Sequence, residues 1–225
     1  MTGHAELIDQ LIALGRKAVG RGLVLGSGGN LSARLPGADE CVVTASGTWL
    51  DELSTDDFSV VALDGAHRAG HPRPSSEVAL HLHSYRARSD VNAVIHLHPQ
   101  LSVLLDALGH RIRLITIDHA YYVRGVATVP YIASGTEELA VAGAAALADA
   151  DAVILGHHGC SVVGATVEEA HKRAANLEEA ATATYRALLL GDTTTVCPPE
   201  YLERVRRLEA EAVETAGAAA TPPPP

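Results

Sequence analysis

Apolar positions along the chain repeat with two different periods, and each period predicts an element. Between residues 5 and 20 they fall at Ala5, Leu7, Ile8, Leu11, Ile12, Leu14, Ala18 and Val19, a 3.6-residue stripe ended by Gly20 and Gly22. This predicts an amphipathic first helix. The glycine-rich stretch GSGGNLSARLPG (26–37) predicts a loop leading into a short strand near Asn30 to Arg34. CVVTA (41–45) and SVVAL (59–63) read as β-branched strands, with LDGAHRAG as the turn beyond the second.

RPSS (73–76) is a break before a helix beginning EVALHLHSYRAR, where Ser75 or Ser76 can cap the free N–H groups. VNAVIHLH (91–98) is the clearest strand. A short helix over 101–108 follows, then strands near 112–117 and 126–132. SGTE (134–137) and TVEE (166–169) have capping-box form ahead of helices that run to about Ala148 and Leu190. Between them DAVILG and CSVVG predict a strand pair joined by HHG, and residues 198–214 a last helix. Several strands follow one another with no helix between, which predicts α/β or α+β with a mainly antiparallel central sheet. One domain over 1–215 and a loose Pro-rich tail over 216–225 are expected.

Composition narrows the partners. A net charge of −10 argues against a general nucleic-acid or anionic-membrane binder, because such partners select a basic face. Local anion binding by backbone N–H groups stays open. Cys41, Cys160 and Cys197 are scattered, with no CxxC spacing, so buried inert thiols are expected. The N-terminus lacks the pattern of a signal peptide and no apolar run is long enough to span a bilayer, so a cytoplasmic protein is expected.

Histidine is the unusual component. In a strand, residues i and i+2 face the same way, so His96 and His98 could grip one metal ion. His81 and His83 share that spacing but lie on a predicted helix, where they diverge. In VILGHHGCSVVG, His157 or His158 completes a three-histidine set, the ligand count of a catalytic zinc site with an open position. Spacing alone does not choose between the two. Gly159 lets the backbone turn there. Glu77, at the start of the helix after Pro74, could exchange a proton with a ligand, and His81 lies four residues on, placed to orient its carboxylate. The N–H groups and serine hydroxyls of that helix start, with Gly28-Gly29-Asn30 and Ser46-Gly47, could cradle a phosphate.

The ordered motifs GGNLS (28–32), VTASG (43–47), RPSSE (73–77), AVIHLHP (93–99), HHG (157–159) and GATVEEA (164–170) resemble the class II aldolase and adducin head family. The likeness runs from the first helix to about Leu190. It implies a nine-stranded, mainly antiparallel sheet flanked by helices in a three-layer α-β-α arrangement, a C4 homotetramer and one zinc ion per subunit. It assigns His96, His98 and His158 as zinc ligands and Glu77 as catalytic acid/base. Gly29, Asn30, Ser46, Gly47, Ser75 and Ser76 fall on the substrate phosphate site.

The implied activity is cleavage of a ketose 1-phosphate, of the L-fuculose 1-phosphate or 5-deoxypentulose 1-phosphate type, to dihydroxyacetone phosphate and a short aldehyde. The family's aldehyde-side tyrosine, which comes from a neighbouring subunit, aligns near Ile117, so His119, Tyr121 and Tyr122 become the candidates for that role. A pentulose-5-phosphate 4-epimerase, a sugar-acid-phosphate decarboxylase and a non-catalytic adducin-like module are the alternatives on the same scaffold. The epimerases usually carry aspartate where Glu77 stands.

Overall fold

The computed structural model describes residues 2–205 and 207–208. The elements in chain order are α1 (Thr2–Gly20), β1 (Asn30–Ala33), β2 (Glu40–Thr44), β3 (Phe58–Ala62), β4 (His67–Gly70), α2 (Val78–Ala87), β5 (Ala93–Leu97), α3 (Gln100–Ala107), α4 (Ile117–Val123), β6 (Val126–Val129), α5 (Glu137–Ala146), β7 (Ala152–Leu155), β8 (Gly159–Gly164) and α6 (Val167–Leu189). The strands form one sheet in the order β4-β3-β2-β1-β5-β8-β7-β6. Every pairing is antiparallel except β6 with β7. The described residues thus supply eight strands, one fewer than the family likeness implies.

Both faces of the sheet are covered, which explains the near-continuous apolar runs of β5, β7 and β8. On one face Leu31, Ala33, Ile95, Leu97, Ile154 and Val162 pack with α1 (Leu11, Leu14) and α6 (Ala170, Ala174, Leu177). On the other, Val43, Val61, Val94, Val153, Leu155 and Val163 pack with α2 (Leu80, Tyr85) and α5 (Leu139, Ala140). This is a three-layer α-β-α arrangement.

Four expectations change. The sequence DGAHRAG holds a tight turn at Asp64-Gly65, and its remainder is β4, an edge strand whose side chains are all exposed. An edge strand facing solvent has no apolar alternation to reveal it. Residues 112–115 are irregular, because Thr184 bonds the backbone of Arg113 and the Leu114 carbonyl accepts from Cys197 N–H. Thr116 then caps α4, accepting from His119 N–H at 3.2 Å. The N-cap of α5 is Thr136, two residues beyond the first serine of SGTE. The helix after RPSS takes Glu77 as its N-cap residue, so neither serine fills that position. TVEE behaves as read, with Thr166 accepting from Glu169 N–H at 3.1 Å at the start of α6. Helix is present at residues 199–205 and 207–208, and the rest of the expected last helix and the tail lie outside the described residues.

The end of β5 is anchored from a distance. Pro99 precedes α3 and supplies no side-chain cap. Glu178 of α6 takes over, its carboxylate accepting from the Leu101 and Ser102 N–H groups at 2.9 Å each and from the Ser102 hydroxyl at 2.7 Å. An anion at a helix N-terminus is favoured by the free N–H groups there. Among the described residues no helix is long and apolar enough to cross a membrane.

Candidate active site

The centre of the site lies where β1, β5 and β8 run side by side. Asn30 pairs with His96 across β1 and β5, and His96 with Ser161 across β5 and β8. His96 shares a face with Val94, the face covered by α2, and is fully buried. The β7–β8 turn brings His158 to the same place. The ring centroids of His96, His98 and His158 are 4.8 to 5.0 Å apart. Glu77, at the start of α2, closes the group: Oε2 is 3.0 Å from His96 Nε2 and Oε1 is 3.4 Å from His158 Nε2.

One ligand atom from each of Glu77, His96, His98 and His158 lies within 4.8 Å of all the others. A tetrahedral ion with bonds of about 2.1 Å needs donors roughly 3.4 Å apart, so these residues fit a divalent ion after small adjustments. The donor chemistry agrees. His96 Nδ1 lies 2.9 Å from the Cys160 carbonyl, which can only accept, so Nδ1 carries the proton and Nε2 offers its lone pair to the cluster. Burial, with His96 and His158 nearby, lowers His98 to about 4, and burial together with His96 also depresses His158. Neutral imidazoles are the form that binds metal. Burial opposes ionisation of Glu77, but its contacts with His96, His158 and Asn30 outweigh this and lower it below the ordinary carboxylate range. Glu77 Oε1 is buried with no hydrogen-bond partner among the described residues, an acceptor left open toward the cluster.

His157 is the residue the site does not use. It is exposed and takes the turn itself, with φ of 58°. Gly159 has a different role from the one expected. A methyl group there would stand 2.5 Å from the Leu97 carbonyl oxygen, 2.6 Å from His98 Cδ2 and 3.1 Å from His96 Cε1. The missing side chain makes room for the histidines. His83 turns away from His81 to the surface and pairs with Glu137 at 2.5 Å. His81 does not touch Glu77 directly. Its Nε2 lies 2.5 Å from Asn30 Oδ1, and Asn30 Nδ2 donates to Glu77 Oε2 at 3.0 Å.

The three candidate phosphate loops converge beside Glu77. Ser46 N–H donates to the Arg73 carbonyl at 3.1 Å and Ser75 N–H to the Thr44 carbonyl at 3.0 Å, so 44–46 and 73–75 run alongside each other. Leu31 N–H bonds Thr44 Oγ1 at 3.1 Å, tying in the Gly29-Asn30 loop. The N–H supply at the helix start is smaller than expected: Ser75, Glu77 and Val78 all donate within the chain. Ser46, Gly47 and Ser76 remain exposed. Gly29 sits at φ 75°, with no room for a side chain against the His96 carbonyl.

The aldehyde-side candidates lie apart from this cluster within the chain. His119 is buried in α4, with Nδ1 3.3 Å from Thr116 N–H. Tyr121 and Tyr122 meet edge to face at 5.0 Å and border a crevice with Thr166, Glu168 and Lys172. That crevice adjoins the far end of β8 at Gly164, roughly 20 Å along the strand from His158 at about 3.3 Å per residue. The cysteines behave as read: all are buried and unpaired, and burial pushes Cys41 and Cys160 up to about 12.

Sequence reasoning missed Ser32, Tyr85, the Cys160 carbonyl and Glu178 as supports of the site. A usable signal existed for the first two, since Asn30 and Ser32 alternate on a strand while Glu77, His81 and Tyr85 recur at four-residue spacing.

Residues 9–185 match the model of the Class II Aldolase and Adducin N-terminal domain, and the chain belongs to this family. It is 35% identical over 181 residues to an L-fuculose phosphate aldolase of Methanocaldococcus jannaschii, covering 80% of this chain and 97% of the relative. It is 29% identical to a 5-deoxy-D-ribulose 1-phosphate aldolase of Bacillus thuringiensis serovar kurstaki, covering 88% and 93% of the two chains. A 3-oxo-tetronate 4-phosphate decarboxylase of Escherichia coli is 34% identical, covering 83% of this chain and 88% of its own. Among solved structures, an L-fuculose 1-phosphate aldolase superposes with a TM-score of 0.84 at 29% identity, covering 91% of this chain and 96% of that one.

Proposed function

We propose that this protein is a zinc-dependent aldolase that cleaves a ketose 1-phosphate, of the L-fuculose 1-phosphate or 5-deoxypentulose 1-phosphate type, to dihydroxyacetone phosphate and a short aldehyde. The group of Glu77, His96, His98 and His158, with the first two buried and the last two half-buried, is the observation that carries this reading. The three histidines would hold zinc, which supplies Lewis-acid stabilisation of the negative charge that develops on the sugar oxygens.

Cleavage breaks the C3–C4 bond and leaves its electron pair on C3. Glu77 supplies the proton that C3 gains and takes it back in the condensation direction, a general acid/base role. The exposed Ser46, Gly47 and Ser76, with Ser75, Gly29 and Asn30 behind them, bind the phosphate and hold C3 beside Glu77. Donors of this kind explain how a chain of net charge −10 takes an anionic substrate. The proton lost from the C4 hydroxyl goes to the aldehyde side. Since Tyr121 and Tyr122 border a distant crevice of their own chain, that partner comes from a neighbouring copy in a C4 homotetramer, with His119, Tyr121 or Tyr122 in the role. A cytoplasmic location fits this reading.

Zinc-loaded protein assayed with several ketose 1-phosphates should release dihydroxyacetone phosphate, with about one zinc ion per subunit. No dihydroxyacetone phosphate across such a panel would overturn the reading. The decarboxylase relative, similar at 34% identity, is the reason to follow carbon dioxide in the same reactions. Carbon dioxide release from a 3-oxo sugar acid phosphate would transfer the chain to that activity.

A further inference from the structure

Beneath α2, a strand and a helix interleave their polar side chains. Asn30 and Ser32 are two apart on β1 and face α2, while Glu77, His81 and Tyr85 are four apart along the start and body of α2 and face β1. The two repeats nearly match, about 6.7 Å along a strand and about 6 Å along a helix. The side chains therefore alternate. Tyr85 OH lies 2.7 Å from Ser32 Oγ, Ser32 Oγ 2.6 Å from His81 Nδ1, His81 Nε2 2.5 Å from Asn30 Oδ1, and Asn30 Nδ2 3.0 Å from Glu77 Oε2. All five residues are buried.

The two ends of the Asn30 amide fix the direction of the links. Its nitrogen donates to Glu77 Oε2, which accepts whether or not Oε1 holds a proton, and its oxygen faces His81. That oxygen only accepts, so the proton of His81 sits on Nε2. His81 is wholly enclosed, and burial lowers it to about 3, so the ring is neutral and Nδ1 carries a lone pair. Ser32 must then donate to His81, which leaves its oxygen to accept from Tyr85. The chain of donors runs one way, from Tyr85 to Glu77.

We propose that Tyr85, Ser32, His81 and Asn30 form a positioning relay that pins Glu77 Oε2 as a hydrogen-bond acceptor and leaves Oε1 as the oxygen that carries the proton. This rests on the aldolase reading for the use of that proton. Oε1 is the oxygen without a hydrogen-bond partner, turned toward His158. Asn30 changes role as a result. Both ends of its side chain are committed to the relay, so it aims Glu77 as well as bordering the phosphate loops.

The test compares His81→Gln, His81→Leu and Tyr85→Phe in zinc-loaded protein. Glutamine keeps one donor and one acceptor about as far apart as the ring nitrogens, whereas leucine keeps neither. His81→Leu should lower kcat at least about tenfold, the scale of misplacing a catalytic group, with KM for the sugar phosphate and zinc content within about twofold of the parent. His81→Gln should recover most of that loss, and Tyr85→Phe should show a smaller fall in kcat alone. A purely structural role would instead lower the melting temperature of both His81 variants and leave kcat of the folded fraction unchanged, which would overturn the relay. Nitrogen-15 NMR of the parent gives a readout independent of substrate: His81 should be the neutral Nε2–H tautomer with a slowly exchanging proton. An Nδ1–H tautomer would overturn the relay. Absence of aldolase activity in the parent with the Nε2–H tautomer in place would count against the aldolase reading and leave the direction of the relay standing.

Discussion

Replacing Glu77 with glutamine removes a charge while keeping the side chain's length and an acceptor for Asn30. Zinc should stay bound through His96, His98 and His158, and turnover should fall by about 10² to 10⁴, the usual contribution of a general acid/base. Metal analysis alongside the coupled assay checks both halves, and unchanged turnover would remove Glu77 from the mechanism. Gly159→Ala tests the opposite situation, a residue that acts by its absence of bulk. Its added methyl would meet the Leu97 carbonyl, which cannot swing aside, and both rings of the HxH pair. The expected outcome is protein that folds with much reduced zinc content, measured by atomic absorption after dialysis. His96, His98 and Glu77 were legible in the sequence because strand period and helix start constrain where they point. Spacing alone did not separate His158 from His157, since either can follow a strand end, and only the family resemblance chose His158. The structure separates them by giving His157 the left-handed backbone of the turn.

Among the elements, α3 is the one whose start depends on a residue of another helix. Glu178→Ala would strand the Leu101 and Ser102 N–H groups at the end of β5. Hydrogen bonds to a charged group are worth about 1.5 to 3 kcal/mol each, and some water would replace them at this partly buried position, so a loss of about 2 kcal/mol is expected in urea denaturation. Zinc affinity should weaken with it, because His98 lies directly before Pro99 and α3. Strands and helices with a clear apolar period were legible: α1, β2, β3, β5, β7, β8 and α6 match their expected positions within a few residues. Those that failed had no such period. β4 is exposed on both faces, and the 112–115 segment looks apolar enough for a strand but finds its bonds on Thr184 and Cys197. The relay beneath α2 stayed unread for a related reason, since two periods must be superposed before Ser32 and Tyr85 meet His81.

For the molecule as a whole, buried neutral histidine links stability to pH. His81 titrates near 6.5 when unfolded and is lowered to about 3 in the fold. Between those values the unfolded chain holds a proton that the folded chain does not. Stability therefore rises with pH across that window and is lost as pH falls below about 6.5, by about 1.4 kcal/mol per pH unit for one such group. Melting temperatures of metal-free protein between pH 7 and 5 should drop accordingly, and His81→Gln should flatten the slope by one proton. A pH-independent melting temperature over that range would contradict the neutral, buried state of this ring.

The strands that carry the site are neighbours in the sheet and strangers in the chain. β1, β5 and β8 lie side by side, yet β8 follows β1 by more than half of the chain. Contacts between such distant segments form late, after the entropy of closing the intervening loops has been met. A ribosome that has released only the first two-thirds of this polypeptide has not yet made His158, so the emerging chain lacks the complete cluster proposed to hold zinc. On the proposed function, metal acquisition would be the closing event of biogenesis, and its free energy would favour completed molecules over truncated or partly folded ones.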